Sequence, residues 1–256
     1  MLFLRSALFN FLFYVNTIVL MLAGLPTLLF GRRAVLSLAR TWGGSSLWLL
    51  RVVCGTSAEF RGLENIPSGA CLVAPKHQSF WETFALVLYF DDFSYVLKRE
   101  LTFIPFFGWY LLRAGQIAID RANAQTALRQ LVVKAKALFA EGRQLFIFPE
   151  GTRRAPGAPP AYKAGVAYVY EKTGVPCLPV ALNAGMFWPR RRFLRFPGTI
   201  VVEFLPAIAP GMKREPFLRE LEARIETATD RLVAEAARQQ PEAAAALAGR
   251  LPRDHL

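Results

Sequence analysis

The chain has 256 residues, enough for one sizeable α/β domain with an appendage and for a substantial core. A net charge of +12, 54% hydrophobic residues and a mean hydropathy of +0.28 point to an anionic and partly apolar partner. Zinc-finger spacing, a basic heptad region and an RNP-like aromatic strand are all missing, so nucleic acid gives way to anionic membrane lipids or phosphorylated substrates.

Residues 2–30, "LFLRSALFNFLFYVNTIVLMLAGLPTLLF", carry one charge, Arg5. They exceed the roughly 20 apolar residues that a spanning helix needs. Gly24 and Pro26 interrupt the last third. Asn10 and Asn16 are costly in hydrocarbon unless they face protein or headgroups. A full span, a helix embedded in one leaflet and a helical hairpin with the next segment all stay open. A cleaved signal peptide fits less well, because the basic start is thin and the apolar run long. Residues 31–53 set Arg32, Arg33, Arg40 and Arg51 among Trp42, Trp48 and leucines, which suits a headgroup region and a cytoplasmic remainder. Residues 1–54 are therefore expected to be a membrane-anchoring helical pair, with a pair of buried core helices as the alternative.

From Gly55 short apolar runs alternate with amphipathic stretches. "AEFRGLENIP" reads as a strand and a polar turn, and "ACLVAP" as a buried strand. Cys54, Cys71 and Cys177 are too scattered for a disulfide framework or a metal site, and read as core residues of a reducing compartment. A helical stretch over about 80–90 follows, then the strand-like "SYVLKREL", an aromatic-rich helix or loop "IPFFGWYLLRAG", and the short strand "QIAID". Apolar spacing at Leu128, Leu131, Val132, Ala135, Leu138 and Phe139 predicts a helix over about 124–141, ended by Gly142. "QLFIFPEGTRR" is a buried strand entering a polar loop. A helix is predicted over about 164–173, and "CLPVAL" and "TIVVEFL" are further strands. The stripe Phe217, Leu221, Ile225, Ala228 and Leu232 marks a long amphipathic helix. Residues 55–240 are thus expected to form an α/β domain with a mostly parallel sheet flanked by helices, and residues 241–256 a frayed tail. Function gathers at the carboxyl ends of such strands, and His77, Asp120 and Glu150 each follow a strand closely.

A histidine is the natural general base near neutral pH. It needs a partner on its other ring nitrogen to fix its tautomer. Glu82 qualifies only if His77 stays in the loop, because positions five apart on one helix lie about 140° apart. A structural reading competes. Ser79-Phe80-Trp81-Glu82 matches a capping box, with Ser79 as N-cap and Glu82 reaching back.

In order along the chain, "KHQSFWE", "GQIAIDR", "FPEGTRR" and "VPCLPVALNAG" resemble the motifs of the glycerolipid acyltransferases, most of all the bacterial 1-acylglycerol-3-phosphate acyltransferases. The resemblance covers roughly residues 55–210, and the two-part apolar N-terminus is similar to the family's membrane anchors. Three departures stand out: Glu82 where the family usually has aspartate, Ala118 where an aromatic is common, and Arg154 as a less usual second arginine.

The resemblance implies a glycerolphosphate acyltransferase-like fold and acyl transfer from acyl carrier protein or coenzyme A to the sn-2 hydroxyl of 1-acylglycerol 3-phosphate (lysophosphatidic acid). The product would be phosphatidic acid, made at the cytoplasmic face of a bacterial inner membrane. His77 is the expected base and Glu82 its partner, in a direct attack with no metal and no cofactor beyond the thioester donor. Glu150 and Gly151 are expected at the glycerol, Thr152 offers a hydroxyl, and Arg153 grips the phosphate bidentately. Arg121, positioned by Asp120, is a second phosphate-binding candidate, and Lys163 is expected to add positive charge for the substrate at a helix start, unless it is simply solvated. Residues 175–180 are a wall of the acyl site or core. Arg190, Arg191, Arg192 and Arg195 are expected on anionic lipid headgroups or on acyl carrier protein, unless they form a solvated loop. Three rivals remain: the same chemistry on another lyso-lipid, such as a lyso-ornithine lipid; a non-catalytic membrane-surface binding protein; and a basic nucleic-acid binder.

Overall fold

The structure, a computed structural model, describes residues 1–120 and 124–248. Helix α1 (Leu2–Ala23), a 3-10 turn (Leu25–Leu28) and helix α2 (Arg32–Leu49) open the chain. A π-type turn (Leu50–Cys54) then runs into the left-handed Gly55. One side of α1 packs on the body: Phe9 and Phe13 are buried against Trp188, and Phe13 also meets Trp42 and Phe84. Both asparagines turn to protein. Asn16 Nδ2 donates to Ser45 Oγ at 2.9 Å, and Asn10 Nδ2 to Phe193 O at 3.2 Å. The other side is bare, with Phe3, Leu4, Leu8, Phe11, Ile18 and Leu22 exposed. Among the described residues α1 alone is long and apolar enough to cross a membrane.

The body alternates strand and helix: β1 (Thr56–Arg61), β2 (Cys71–Pro75), α3 (Glu82–Ala85) continued by a 3-10 turn (Leu86–Tyr89), and β3 (Phe93–Lys98). A 3-10 turn (Arg99–Phe103), α4 (Phe107–Arg113), β4 (Ile117–Ile119), α5 (Ala124–Ala140), β5 (Gln144–Phe146) and α6 (Ala164–Thr173) come next. The chain finishes with β6 (Cys177–Leu182), α7 (Ala184–Phe187), β7 (Gly198–Phe204), α8 (Arg214–Gln239) and α9 (Pro241–Ala248). Where a frayed tail is expected, residues 241–248 are helical and Ala243 is buried; proline is well suited to a first helical position.

The described strands form a seven-stranded sheet in the order β1-β7-β6-β2-β5-β3-β4. The pairings are parallel except β6 with β7, so the sheet is mostly parallel, as the alternating pattern predicts. Strands β2 and β6 are buried at every residue, which is why their sequences are unbroken apolar runs. One core lies under α5, α6 and α8, around Leu131, Val166, Tyr170 and Leu221. The other lies under α1, α2, α3 and α7, around Phe9, Leu36, Trp81 and Phe187. The strand order sets the carboxyl ends of β2, β5, β3 and β4 side by side along one edge.

Candidate active site

His77 lies in the loop after β2, and Glu82 opens α3. His77 Nδ1 is 2.8 Å from Glu82 Oε1, and the same oxygen accepts the backbone N–H groups of Gln78 and Ser79, both at 2.7 Å. The two competing readings therefore merge in one atom. Glu82 reaches back to Ser79 as a capping box requires, and it also holds the histidine. The match to the box is incomplete: Ser79 Oγ accepts from Trp81 N at 3.2 Å, and the helix starts at Glu82 rather than Phe80. Glu82 is fully buried, whereas the His77 side chain is 13% exposed. With Nδ1 committed to the carboxylate, Nε2 is the nitrogen left for a substrate. Phe148 stacks on the imidazole, centroids 3.8 Å apart, and holds the plane of the ring.

Two of the other motifs lock onto this loop. His77 O accepts Arg154 N at 2.8 Å, and Gln78 Oε1 accepts Gly185 N at 3.0 Å. Lys76, which the motif reading passes over, is buried. Its Nζ lies 2.7 and 3.0 Å from the two oxygens of Glu226 and 3.2 Å from Glu150 Oε2. Tyr162 OH donates to Glu226 Oε1 at 2.8 Å. Burial lifts the Glu150 carboxyl above its ordinary value against the opposing pull of Lys76. The Glu150 side chain, expected at the glycerol, is 1% exposed and braces Lys76, and Glu150 does not line the neighbouring cavity.

That cavity, about 1080 Å³, opens beside His77. Its apolar lining includes Phe13, Leu20, Met21, Trp42, Phe84 and Tyr110. Its basic lining includes Lys98, Arg153, Lys163, Arg191 and Arg192. Of the expected binding residues, Gly151, Arg153 and Lys163 line it together with His77. Gly151 has φ 66° and packs against the Lys163 side chain, where an added Cβ would stand 3.5 Å from Cδ. Thr152 is exposed and does not line the cavity. Arg121 lies outside the described residues. Asp120, its expected partner, pairs with Arg99 at 3.3 Å. Lys98 went unnoticed in the sequence, although it ends a strand just as the segment before His77 does. Residues 175–180 do not line the cavity, and β6 is core.

The arginine loop divides. Arg191 and Arg192 are exposed at the cavity, and Arg190 Nη1 donates to Arg153 O at 2.7 Å. Arg195 corrects the expectation of a surface contact. It is buried over the Trp188 ring, and its Nη2 donates to Asn10 Oδ1 at 3.0 Å, which ties α1 to the loop. Burial lowers its pKa to about 10. Burial also pushes the Cys54 thiol up to about 11 and Cys71 to about 12, which keeps both protonated at neutral pH. Among the described residues, no group of three or more His, Cys, Asp or Glu side chains is placed to hold a metal ion.

The acyltransferase family model matches residues 57–183. A 1-acyl-sn-glycerol-3-phosphate acyltransferase of Pseudomonas aeruginosa is 41% identical over 196 residues, which are 77% of this chain and 76% of that protein. The chloroplastic 1-acyl-sn-glycerol-3-phosphate acyltransferase BAT2 of Brassica napus is 29% identical over 171 residues, 64% of this chain and 48% of that protein. Among solved structures, the 1-acyl-sn-glycerophosphate (LPA) acyltransferase PlsC of Thermotoga maritima matches with a TM-score of 0.76 at 26% identity, over 91% of this chain and 98% of that one.

Proposed function

The chain belongs to the family of 1-acyl-sn-glycerol-3-phosphate acyltransferases, and we propose that it runs their reaction by direct attack with His77 as base. It transfers a fatty acyl group to the sn-2 hydroxyl of 1-acylglycerol 3-phosphate, forming phosphatidic acid. The observation that carries this reading is one cavity whose lining brings His77 together with apolar and basic side chains. The acceptor has matching chemistry: an acyl chain, an anionic phosphate and a hydroxyl.

With Nδ1–H donating to Glu82, His77 Nε2 takes the hydroxyl proton as the acceptor oxygen attacks the thioester carbonyl carbon. The new C–O bond forms, the tetrahedral intermediate collapses and the C–S bond breaks. The leaving thiolate takes the proton from the imidazolium, whose charge Glu82 stabilises in the interval. Arg153, Lys163 and Lys98 supply positive charge for the phosphate, with Arg121 a further candidate on sequence alone. The donor is an acyl carrier protein or coenzyme A thioester, and the route needs no other cofactor. Arg191 and Arg192 suit the acidic face of such a carrier protein or anionic headgroups. The bare side of α1 lies in a bacterial inner membrane, with the body on the cytoplasmic face where the arginines after α1 would hold it.

Product formation in mixed micelles, with labelled donor and a panel of lyso-lipid acceptors, tests the reading. Phosphatidic acid made by the parent and lost in His77→Ala is the expected result. Arg153→Ala should weaken use of the phosphate acceptor by roughly ten- to a hundredfold, the worth of a charge-assisted hydrogen bond. Undiminished product in His77→Ala would overturn the mechanism. Turnover of a phosphate-free lyso-lipid alone, such as a lyso-ornithine lipid, would replace the acceptor.

A further inference from the structure

Helix α4 and the turn before it carry an apolar surface that neither the dyad nor the N-terminal helices explain. Phe103, Ile104, Phe106, Trp109 and Leu112 are all exposed, Phe103 at 68% and Leu112 at 62%. A cluster this dense marks an interaction site rather than ordinary surface scatter. The backbone that presents it is closely specified. Phe106 adopts φ 62°, an outlier for a bulky residue. Gly108 packs so tightly that a Cβ would stand 2.0 Å from Thr102 O.

Two hydrogen bonds set this surface beside α1. Tyr110 OH donates to Met21 O at 2.6 Å, and Arg113 Nε donates to Leu28 O at 2.8 Å. These bonds join α4 to the N-terminal segment that also exposes Leu22, Leu29 and Phe30. Arg113 and Arg33 are exposed along the border; Arg99 is there too, paired with Asp120, and Glu100 is the acid among them. The inner side of the same segment belongs to the catalytic cavity, through Leu101, Phe107, Tyr110 and Leu111.

We propose that residues 101–112 are a second membrane-inserting element. They enter one leaflet of an anionic bilayer beside α1 and form the lip over which a lipid acceptor passes into the cavity. Aromatic side chains take the interface and the bordering cations meet lipid phosphates. The basic border and the junction with the exposed apolar N-terminal segment favour a lipid surface over a protein partner. The proposal rests on the membrane association inferred above, and its test separates the two.

The full chain is mixed with phosphatidylethanolamine–phosphatidylglycerol vesicles whose acyl chains carry bromine. A bimane label is placed on Phe103→Cys or, on α1, on Phe11→Cys; Cys54, Cys71 and Cys177 are buried. Quenching at both positions is expected. In Phe103→Ser/Trp109→Ser, neither position lines the cavity, so turnover in detergent micelles should stay at the parent level. Partition into vesicles should weaken about tenfold or more, and turnover of vesicle-borne acceptor should fall with it. Quenching at 11 but not at 103, with partition unchanged in the double variant, overturns this proposal alone. No quenching at either position overturns the membrane reading as well. An unquenched label at 103, together with a dimer that the double variant disperses, assigns the surface to a second copy of the chain and also overturns the proposal.

Discussion

Because one oxygen of Glu82 serves both the histidine and two backbone amides, its loss has two separable effects. Glu82→Ala strands two buried N–H groups, so the protein should lose about 1–3 kcal/mol of stability, and turnover should fall by about 10²–10⁴. His77→Ala should lose turnover on the same scale with little loss of stability, since its backbone bond to Arg154 survives. Glu82→Gln keeps an acceptor for the amides and should recover stability far more than turnover. Thermal unfolding and kcat, measured on all three, check this. Lys76 makes a different prediction. Lys76→Met leaves Glu150 and Glu226 without the buried cation between them, which should cost about 3–5 kcal/mol. A carboxyl raised in the folded state binds more protons folded than unfolded, so stability falls as pH rises past its ordinary range. The deficit of Lys76→Met should therefore shrink as pH is lowered into the carboxylate range, and unfolding curves against pH would show it.

Between elements, the contact of α2 with α3 governs the site. A Cβ at Gly43 would stand 2.5 Å from Phe84 O, so α2 approaches the backbone of the helix that carries Glu82. Alanine gains about 1 kcal/mol in helix propensity, but overpacking costs about 1–3 kcal/mol and acts against backbone that cannot swing away. Gly43→Ala should lower both the unfolding midpoint and kcat; an unchanged kcat would mean that the dyad is insulated from α2. The helix expected over 80–90 is an α-helical turn over 82–85 continued by a 3-10 turn over 86–89, and the Glu82 carboxylate holds the amides of residues 78 and 79 in the loop before it. Helix α7 left no signal, since four residues are too few to show a period.

Over the whole molecule, the net charge of +12 and the bare face of α1 act on a membrane in different ways. Charge attraction is screened by salt, whose Debye length falls from about 10 Å at 0.1 M to about 3 Å at 1 M, while burial of apolar surface is not. Binding to anionic vesicles should weaken across that range toward the level seen with neutral vesicles, which should change little. Co-sedimentation at the two salt concentrations checks this. Full release from anionic vesicles in high salt would mean that α1 does not insert.

The amino-acid sequence by itself determined the kinds of element, the two-part apolar N-terminus and the His77–Glu82 spacing. Each of these is a local pattern, written in residues a few positions apart. Only the tertiary structure decided where the isolated charges go. Lys76 meets Glu226 across 150 residues of chain, Arg195 turns inward to Asn10, and Glu150 braces Lys76. Periodicity reports which face of an element is buried. The partner of a buried charge depends on strand order and on which helix crosses above it, and neither is encoded in any short stretch of the chain.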